Sequence, residues 1–149
     1  MQSPTKTFTE NLLFNECGLV PAITQDWLDG VVLMMAWMNK ESIKATFQTG
    51  EVHYWSRSRN SLWRKGETSG NLQKLKTIRY DCDKDVLLLT VHQVGFKACH
   101  TGERSCFYTS FNSDGIQNNK ETNFQPRDSC GELFQIISQR KLNPEQGSY

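Results

Sequence analysis

Apolar and polar positions change period several times along this chain, and each change marks an element. Leu19-Val20-Pro21-Ala22-Ile23 and Val31-Val32-Leu33-Met34-Met35-Ala36-Trp37 flank Asp29-Gly30, the pattern of a β hairpin. The second run is apolar on both faces and predicts a central strand. Asn39 is a good N-cap for a short helix, Lys40 to Thr49, and Gly50 supplies its left-handed stop. From Glu51 to Arg59 a strand would put His53, Trp55, Arg57 and Arg59 on one face, an aromatic and cationic face unusual for a core. Asn60 to Gly70 is loop material. Leu72 to Asp83 and Val86 to Val94 are two strands with Lys84-Asp85 at the tip of a tight hairpin. Gly95 to Ser105 is a loop, and Cys106 to Phe111 a further strand.

The two ends are less patterned. Residues 1–11 are polar and expected to be poorly ordered. Asn112 to Pro126 has few aliphatic residues and reads as a linker. Ser129-x-x-Glu132 is a capping box opening a helix to about Leu142, with Leu133, Ile136 and Ile137 as its apolar stripe and Pro144 closing it. The expected class is α+β: mainly antiparallel β hairpins, a short helix after the second strand, and a C-terminal helix. The expected divisions are a domain over 1–111, a polar linker over 112–131 and a C-terminal segment over 132–149.

At 149 residues the chain fits one domain with at most an appendage, and such a domain needs no disulfides. The net charge of +1 conceals an uneven distribution. Between Arg57 and Arg79 stand seven basic residues (Arg57, Arg59, Arg64, Lys65, Lys74, Lys76 and Arg79) against Glu67 alone. Five cysteines are an odd number with no paired framework, which favours a reducing compartment and metal binding. The first residues lack the apolar core of a signal peptide, and no stretch approaches the ~20 apolar residues of a membrane span. A cytoplasmic protein with no membrane association is expected.

Two kinds of metal ligand lie close together. Asp81, Asp83 and Asp85 offer hard oxygens suited to magnesium. In a straight strand Asp81 and Asp85 would be ~13 Å apart, so only a turn near Lys84 gathers all three carboxylates. A solvated acidic turn is the competing reading. Strand alternation would send Cys82 to the face opposite Asp81 and Asp83. Cys82, Cys99 and Cys106 are spaced 17 and 7 apart, without a C-x-x-C knuckle, while Cys17 and Cys130 lie far off. Three thiolates with a fourth position open is the pattern of a catalytic zinc. Thiolates donate heavily, so the zinc would acidify its water only modestly and a nearby base is needed. His100, directly after Cys99, is the candidate. Upstream, Trp63-Arg64-Lys65-Gly66-Glu67-Thr68-Ser69-Gly70 supplies cations, hydroxyls and glycines for a phosphate cradle, or else a solvated turn.

Taken together, Ser56-Arg57-Ser58-Arg59, Leu62 to Asn71, Asp81-Cys82-Asp83-Lys84-Asp85, Ala98-Cys99-His100-Thr101-Gly102 and Arg104-Ser105-Cys106-Phe107 resemble phosphoribosyl-AMP cyclohydrolase of histidine biosynthesis. The resemblance covers roughly Leu19 to Phe107. It implies a hydrolase that opens the purine six-membered ring of phosphoribosyl-AMP by adding water at C6 and breaking N1–C6. It further implies zinc on Cys82, Cys99 and Cys106, with Cys82 contributed across an obligate-type homodimer interface, magnesium on Asp81, Asp83 and Asp85, and His100 as base. Arg57, Arg59, Trp63, Arg64, Lys65, Glu67, Thr68, Ser69 and Gly70 are the expected substrate-binding set. Two departures stand out: the loop before Cys99 is about one residue longer than usual, and Lys84 replaces a frequent glycine.

Glu132 to Tyr149 resembles the opening of phosphoribosyl-ATP pyrophosphohydrolase, an all-helical enzyme often fused behind the cyclohydrolase. The implied arrangement is 1–111 as the cyclohydrolase domain and 132–149 as an incomplete segment of the second, whose activity this chain is not expected to encode. The rival reading is a zinc-stabilised nucleic-acid-binding module using the Arg/Lys segment with Trp55 and Trp63 as stacking platforms. A missing fourth zinc ligand and a near-neutral pI weigh against it, so no nucleic-acid partner is expected.

Overall fold

Strand periodicity carries most of the architecture. The computed structural model describes residues 4–95, 97–118 and 137–138. The chain divides into two units, Met1–Tyr108 and Thr109–Tyr149. The first holds α1 (Pro4–Glu10), β1 (Val20–Asp26), β2 (Val32–Met38), α2 (Lys40–Thr49), β3 (His53–Ser56), β4 (Ser61–Arg64), β5 (Gln73–Tyr80) and β6 (Leu87–Gln93). The second holds the short hairpin β7 (Ser110–Phe111) and β8 (Gln117–Asn118).

The six strands of the first unit form one sheet in the order β4-β3-β2-β1-β6-β5. The expected class, α+β with antiparallel hairpins, holds for β1–β2, β3–β4 and β5–β6. The sheet is nevertheless mixed, because β1 and β6 run parallel with Ala22 opposite Leu87 and Asp26 opposite Val91. That pairing joins strands far apart in sequence, so no local pattern signals it. The sheet also curls: the Val52 N–H donates to Gln73 O at 2.8 Å and the Leu75 N–H to Gly50 O at 2.8 Å. The start of β5 thereby meets the residues just ahead of β3.

Local sequence explains α2 closely. Asn39 accepts from the Ser42 N–H (2.8 Å) while Ser42 Oγ accepts from the Asn39 N–H (2.9 Å), a reciprocal cap contributing about 1 kcal/mol. Gly50 ends the helix at φ 70. Ile43 and Thr46 are buried, and Thr46 Oγ1 accepts from the His53 N–H at 2.9 Å, fixing the helix to β3. The inner face of β6 is an alternating row of Leu87, Leu89, Val91 and Gln93, all buried. Full burial of each aliphatic member is worth roughly 1.5–3 kcal/mol.

Several expectations are corrected. Part of the segment 1–11 is helical, because Phe8 packs edge-on against Phe47 at 5.5 Å and Leu12 enters the core. The strand expected over 51–59 ends at Ser56. Arg57 to Asn60 form a turn, and Asn60 takes φ 49. Ser61–Arg64, expected as loop, is β4, paired through Tyr54 with Trp63 and Trp55 with Leu62. β5 stops at Tyr80, so strand alternation does not govern Cys82. Cys106 to Thr109 are not a strand, and the supposed linker begins with the β7–β8 hairpin. β2 is interior to the sheet, yet Met35 on its outer face is 40% exposed. The expected C-terminal helix and linker lie outside the described residues beyond 118, apart from Ile137 and Ser138, which are helical.

Candidate active site and metal-ligating groups

The loop carrying Cys99 and Cys106 is tied down at both ends. Within it the Ala98 N–H donates to Arg104 O (3.1 Å), Cys99 N–H to Glu103 O (3.0 Å) and Gly102 N–H to Cys99 O (3.1 Å). Arg104 reaches Asp29 at 2.6 Å and Asp26 at 3.6 Å in the β1–β2 turn. Ser105 Oγ donates to Val32 O (2.8 Å) and the Cys106 N–H to Leu33 O (2.7 Å). Sequence reasoning placed Asp29 in a hairpin turn and Arg104 in a motif but did not pair them. Only folding brings their opposite charges together.

These ties set Cys99 and Cys106 side by side. Burial pushes the Cys99 thiol up, but hydrogen bonds from Thr101 Oγ1 (3.1 Å), the Thr101 amide and the Cys106 thiol hold it below the ordinary value. Partial burial and the adjoining Cys99 push Cys106 up to about 11. The two adjoining sulfurs have the donor chemistry of a soft metal site. Lys65 lies beside both sulfurs. Burial lowers its pKa while the thiolates act in the opposite direction, and its Nζ donates to Ala98 O at 2.7 Å.

A cleft of about 700 Å³ gathers most of the expected site. Arg59, Trp63, Arg64, Lys65, Glu67, Thr68 and Ser69 line it together with Cys99 and His100. Ser61, Leu62, Asn71 and Gly102 also line it, and sequence reasoning had not singled them out for a role. Gly70 is not among the lining residues, and its N–H closes the 66–70 turn onto Gly66 O at 2.8 Å. Gly66 itself has φ +81, and a Cβ there would overlap the Asn71 backbone. Arg57 belongs to an adjoining cleft of about 650 Å³ with Trp37, Trp55, Trp63 and Arg59, its guanidinium 4.9 Å from the Trp37 ring centre. Arg59 and Trp63 line both clefts. Arg64 is partly engaged, donating to Glu51 at 3.0 Å.

The hairpin tip gathers the carboxylates. One oxygen each from Asp81, Asp83 and Asp85 lies within 4.8 Å of the others. Lys84 takes φ 67, so the position where a glycine is frequent does require the left-handed region. Asp81 Oδ1 accepts from the Asp85 and Val86 N–H groups at 3.1 and 3.2 Å. Slight burial opposes them, yet these bonds hold Asp81 below the usual carboxylate range. Asp83 and Asp81 beside it push Asp85 up. Such mutual repulsion suits a hard cation. The N-terminal segment braces the turn, the Leu13 N–H donating to Lys84 O at 2.8 Å.

Cys82 does not join the other cysteines. Among the described residues the three aspartates converge as a group of three ligands, whereas Cys82, Cys99 and Cys106 do not. Cys82 is exposed in the turn ahead of β6, and Cys99 follows the far end of β6. The seven residues of that strand span ~20 Å. Within one chain the cysteine set is thus split.

A mixed curled sheet thus carries a thiol pair, a carboxylate trio and a cationic cleft, groups able to ligate metal ions and to bind an anionic substrate. Residues 34–108 match the family described as phosphoribosyl-AMP cyclohydrolase, and the chain belongs to that family. The histidine biosynthesis bifunctional protein HisIE of Parasynechococcus marenigrum is 59% identical over 151 residues, covering 100% of this chain and 67% of that protein. Two Prochlorococcus marinus proteins of the same name are 56% and 54% identical, again over 100% of this chain and 67% of theirs. The chain thus spans about two thirds of the length of these curated relatives, and the similarity continues past residue 108 through the tail. Among the described residues no helix is long and apolar enough to cross a membrane.

Proposed function

We propose that the chain opens the purine six-membered ring of phosphoribosyl-AMP with zinc held by Cys99, Cys106 and Cys82 of the partner subunit in a homodimer. The observation that carries this reading is the single cleft in which Lys65, Thr68 and Ser69 meet Cys99 and His100. The separation of Cys82 from the thiol pair supports a site shared between two chains. The acidic turn would hold magnesium on Asp81, Asp83 and Asp85. When bound, zinc supplies Lewis acidity to the attacking water and magnesium supplies countercharge to phosphate.

The protein's own groups supply the remainder. His100, at the cleft wall, would accept one proton from water as its oxygen adds to C6 and return it to N1 as the N1–C6 bond breaks, while the second water proton passes to the exocyclic nitrogen as the carboxamide forms. The balance is one water consumed per ring opened. Lys65 spends one of its three N–H bonds on Ala98 O and keeps two for substrate oxygen. The Thr68 and Ser69 hydroxyls and the tight turn at Gly66 provide further donors for one phosphate. Phosphoribosyl-AMP carries a phosphate on each ribose, and Arg57 and Arg59 in the adjoining cleft suit the second. Trp63, between the two clefts, offers a ring face to the purine.

The test is turnover of phosphoribosyl-AMP, followed by the ultraviolet change on ring opening, with zinc per chain measured on the same sample. Catalysis proportional to zinc is expected. Stoichiometric zinc with no turnover sinks the reading, and tight binding of oligonucleotides in place of the mononucleotide would favour the nucleic-acid module.

A further inference from the structure

Four polar side chains cross the core in a row and end between two segments that lead into the cleft loops. Thr24, Tyr54 and Gln73 are fully buried and Gln93 is 8% exposed. Thr24 Oγ1 lies 2.6 Å from Tyr54 Oη, Tyr54 Oη 2.7 Å from Gln73 Oε1, and Gln73 Nε2 2.9 Å from Gln93 Oε1. Among the described residues, Gln93 Nε2 then faces four carbonyls: Val94 O at 2.9 Å, Asn71 O and Leu72 O at 3.3 Å, and Lys97 O at 3.4 Å.

The final set fixes the direction of the whole row. Carbonyls only accept, so the Gln93 amide must present its nitrogen to them and its oxygen to Gln73. Gln73 must then donate with its nitrogen and accept with its oxygen from the Tyr54 hydroxyl. Tyr54 has one proton, already given, so Thr24 must donate to it. Burial raises the Tyr54 pKa far above the phenol range, so that proton stays in place. Each group has one admissible orientation, and its correctness depends on the one before.

The carbonyls at the end belong to two segments that lead into loops lining the cleft. Asn71 and Leu72 close the 66–71 loop, and Asn71 lines the cleft. Val94 and Lys97 lead directly into Ala98-Cys99-His100. The Gln93 carboxamide is therefore a clamp between the proposed phosphate loop and the loop bearing the thiol and the base. A backbone bond from the Val94 N–H to Leu72 O (2.9 Å) closes the same junction from the other side.

We propose that Gln93, oriented by the Thr24–Tyr54–Gln73 row, is a positioning residue that sets the register of the two cleft loops and so the placement of Cys99 and His100 relative to bound phosphate. The inference rests on the proposed zinc and base roles of those two residues. Orienting partners of this sort change metal affinity or activity by about 10–100-fold when altered.

Gln93→Glu keeps the shape but replaces the donor with a group that repels four carbonyls. Gln93→Glu is expected to lower kcat by about 10–100-fold and to speed zinc release to a chelator by at least ~10-fold, with KM changing much less. Should that variant fail to fold, Tyr54→Phe removes only the hydroxyl that orients Gln73 and leaves the ring packed at 5.2 Å from Trp63. Its effects are expected in the same direction and smaller, about 3–10-fold, the worth of one hydrogen bond. All rates are taken per folded chain, well below the melting temperature, beside the wild type. Lower melting temperature with wild-type kcat and zinc release in either folded variant overturns the proposal. An inactive or zinc-free wild type instead condemns the zinc and base assignments on which it rests.

Discussion

The acidic turn and the cysteine set are both groups of three ligands, yet the fold treats them oppositely. Asp81, Asp83 and Asp85 are drawn together by five residues of hairpin tip, held by Asp81 accepting from the Asp85 and Val86 amides. Cys99 and Cys106 are joined by a loop strapped to β2 and to the β1–β2 turn, while Cys82 is left outside. Ligands close in sequence need only a turn, whose closure costs little chain entropy. Ligands on different elements need a whole sheet to align them, and a third can be supplied by another chain. The first site is local and self-contained. The second is tertiary, and in our reading quaternary.

The sharpest way to break that contrast is subunit mixing. Cys82→Ser and Cys99→Ser chains should each lose zinc and nearly all activity, while Cys17→Ser loses neither. Mixed and allowed to exchange, the two defective chains should regain about half of wild-type activity per heterodimer, because one of the two sites then contains no defect. Demonstrated heterodimers without recovery would return Cys82 to its own chain's site. Next in size, His100→Ala should retain zinc and lose on the order of 10²–10⁴ in kcat. Unchanged kcat with weaker substrate binding alone would make His100 a binding residue.

The local site should respond more gently. Asp83→Asn, which removes one charged ligand, should weaken Mn²⁺ binding, measured by titration of the folded protein, while leaving zinc content unchanged. Equal loss of both metals would show that the two sites are coupled. The smallest expected effect tests the turn itself. Lys84 sits at φ 67, so Lys84→Gly should stabilise the fold by up to about 1 kcal/mol in a denaturant titration. A clear loss of stability would mean that the lysine side chain contributes more than the backbone relief.

Much of this was legible from the chain alone, for one reason: the determinants are local. The Asn39 cap, the Gly50 stop, the Asp29-Gly30 hairpin and the gathering of carboxylates at Lys84 each follow from residues within a few positions of one another. The motifs around Lys65 and Cys99 also marked the candidate residues for the chemistry, because residue type sets ligand softness and charge. The sequence did not announce the parallel pairing of β1 with β6, the strand at Ser61–Arg64, or the helix at Pro4–Glu10. Those depend on long-range pairing and on Phe8 finding Phe47, which override weak local preference. Nor could spacing alone place Cys82 apart from Cys99, or show that Gln73 and Gln93 break two apolar rows in order to meet. A glutamine at an inward strand position stands out only once the inner face is known. Its partner across the core exists only once the sheet curls and brings β3, β5 and β6 around one interior.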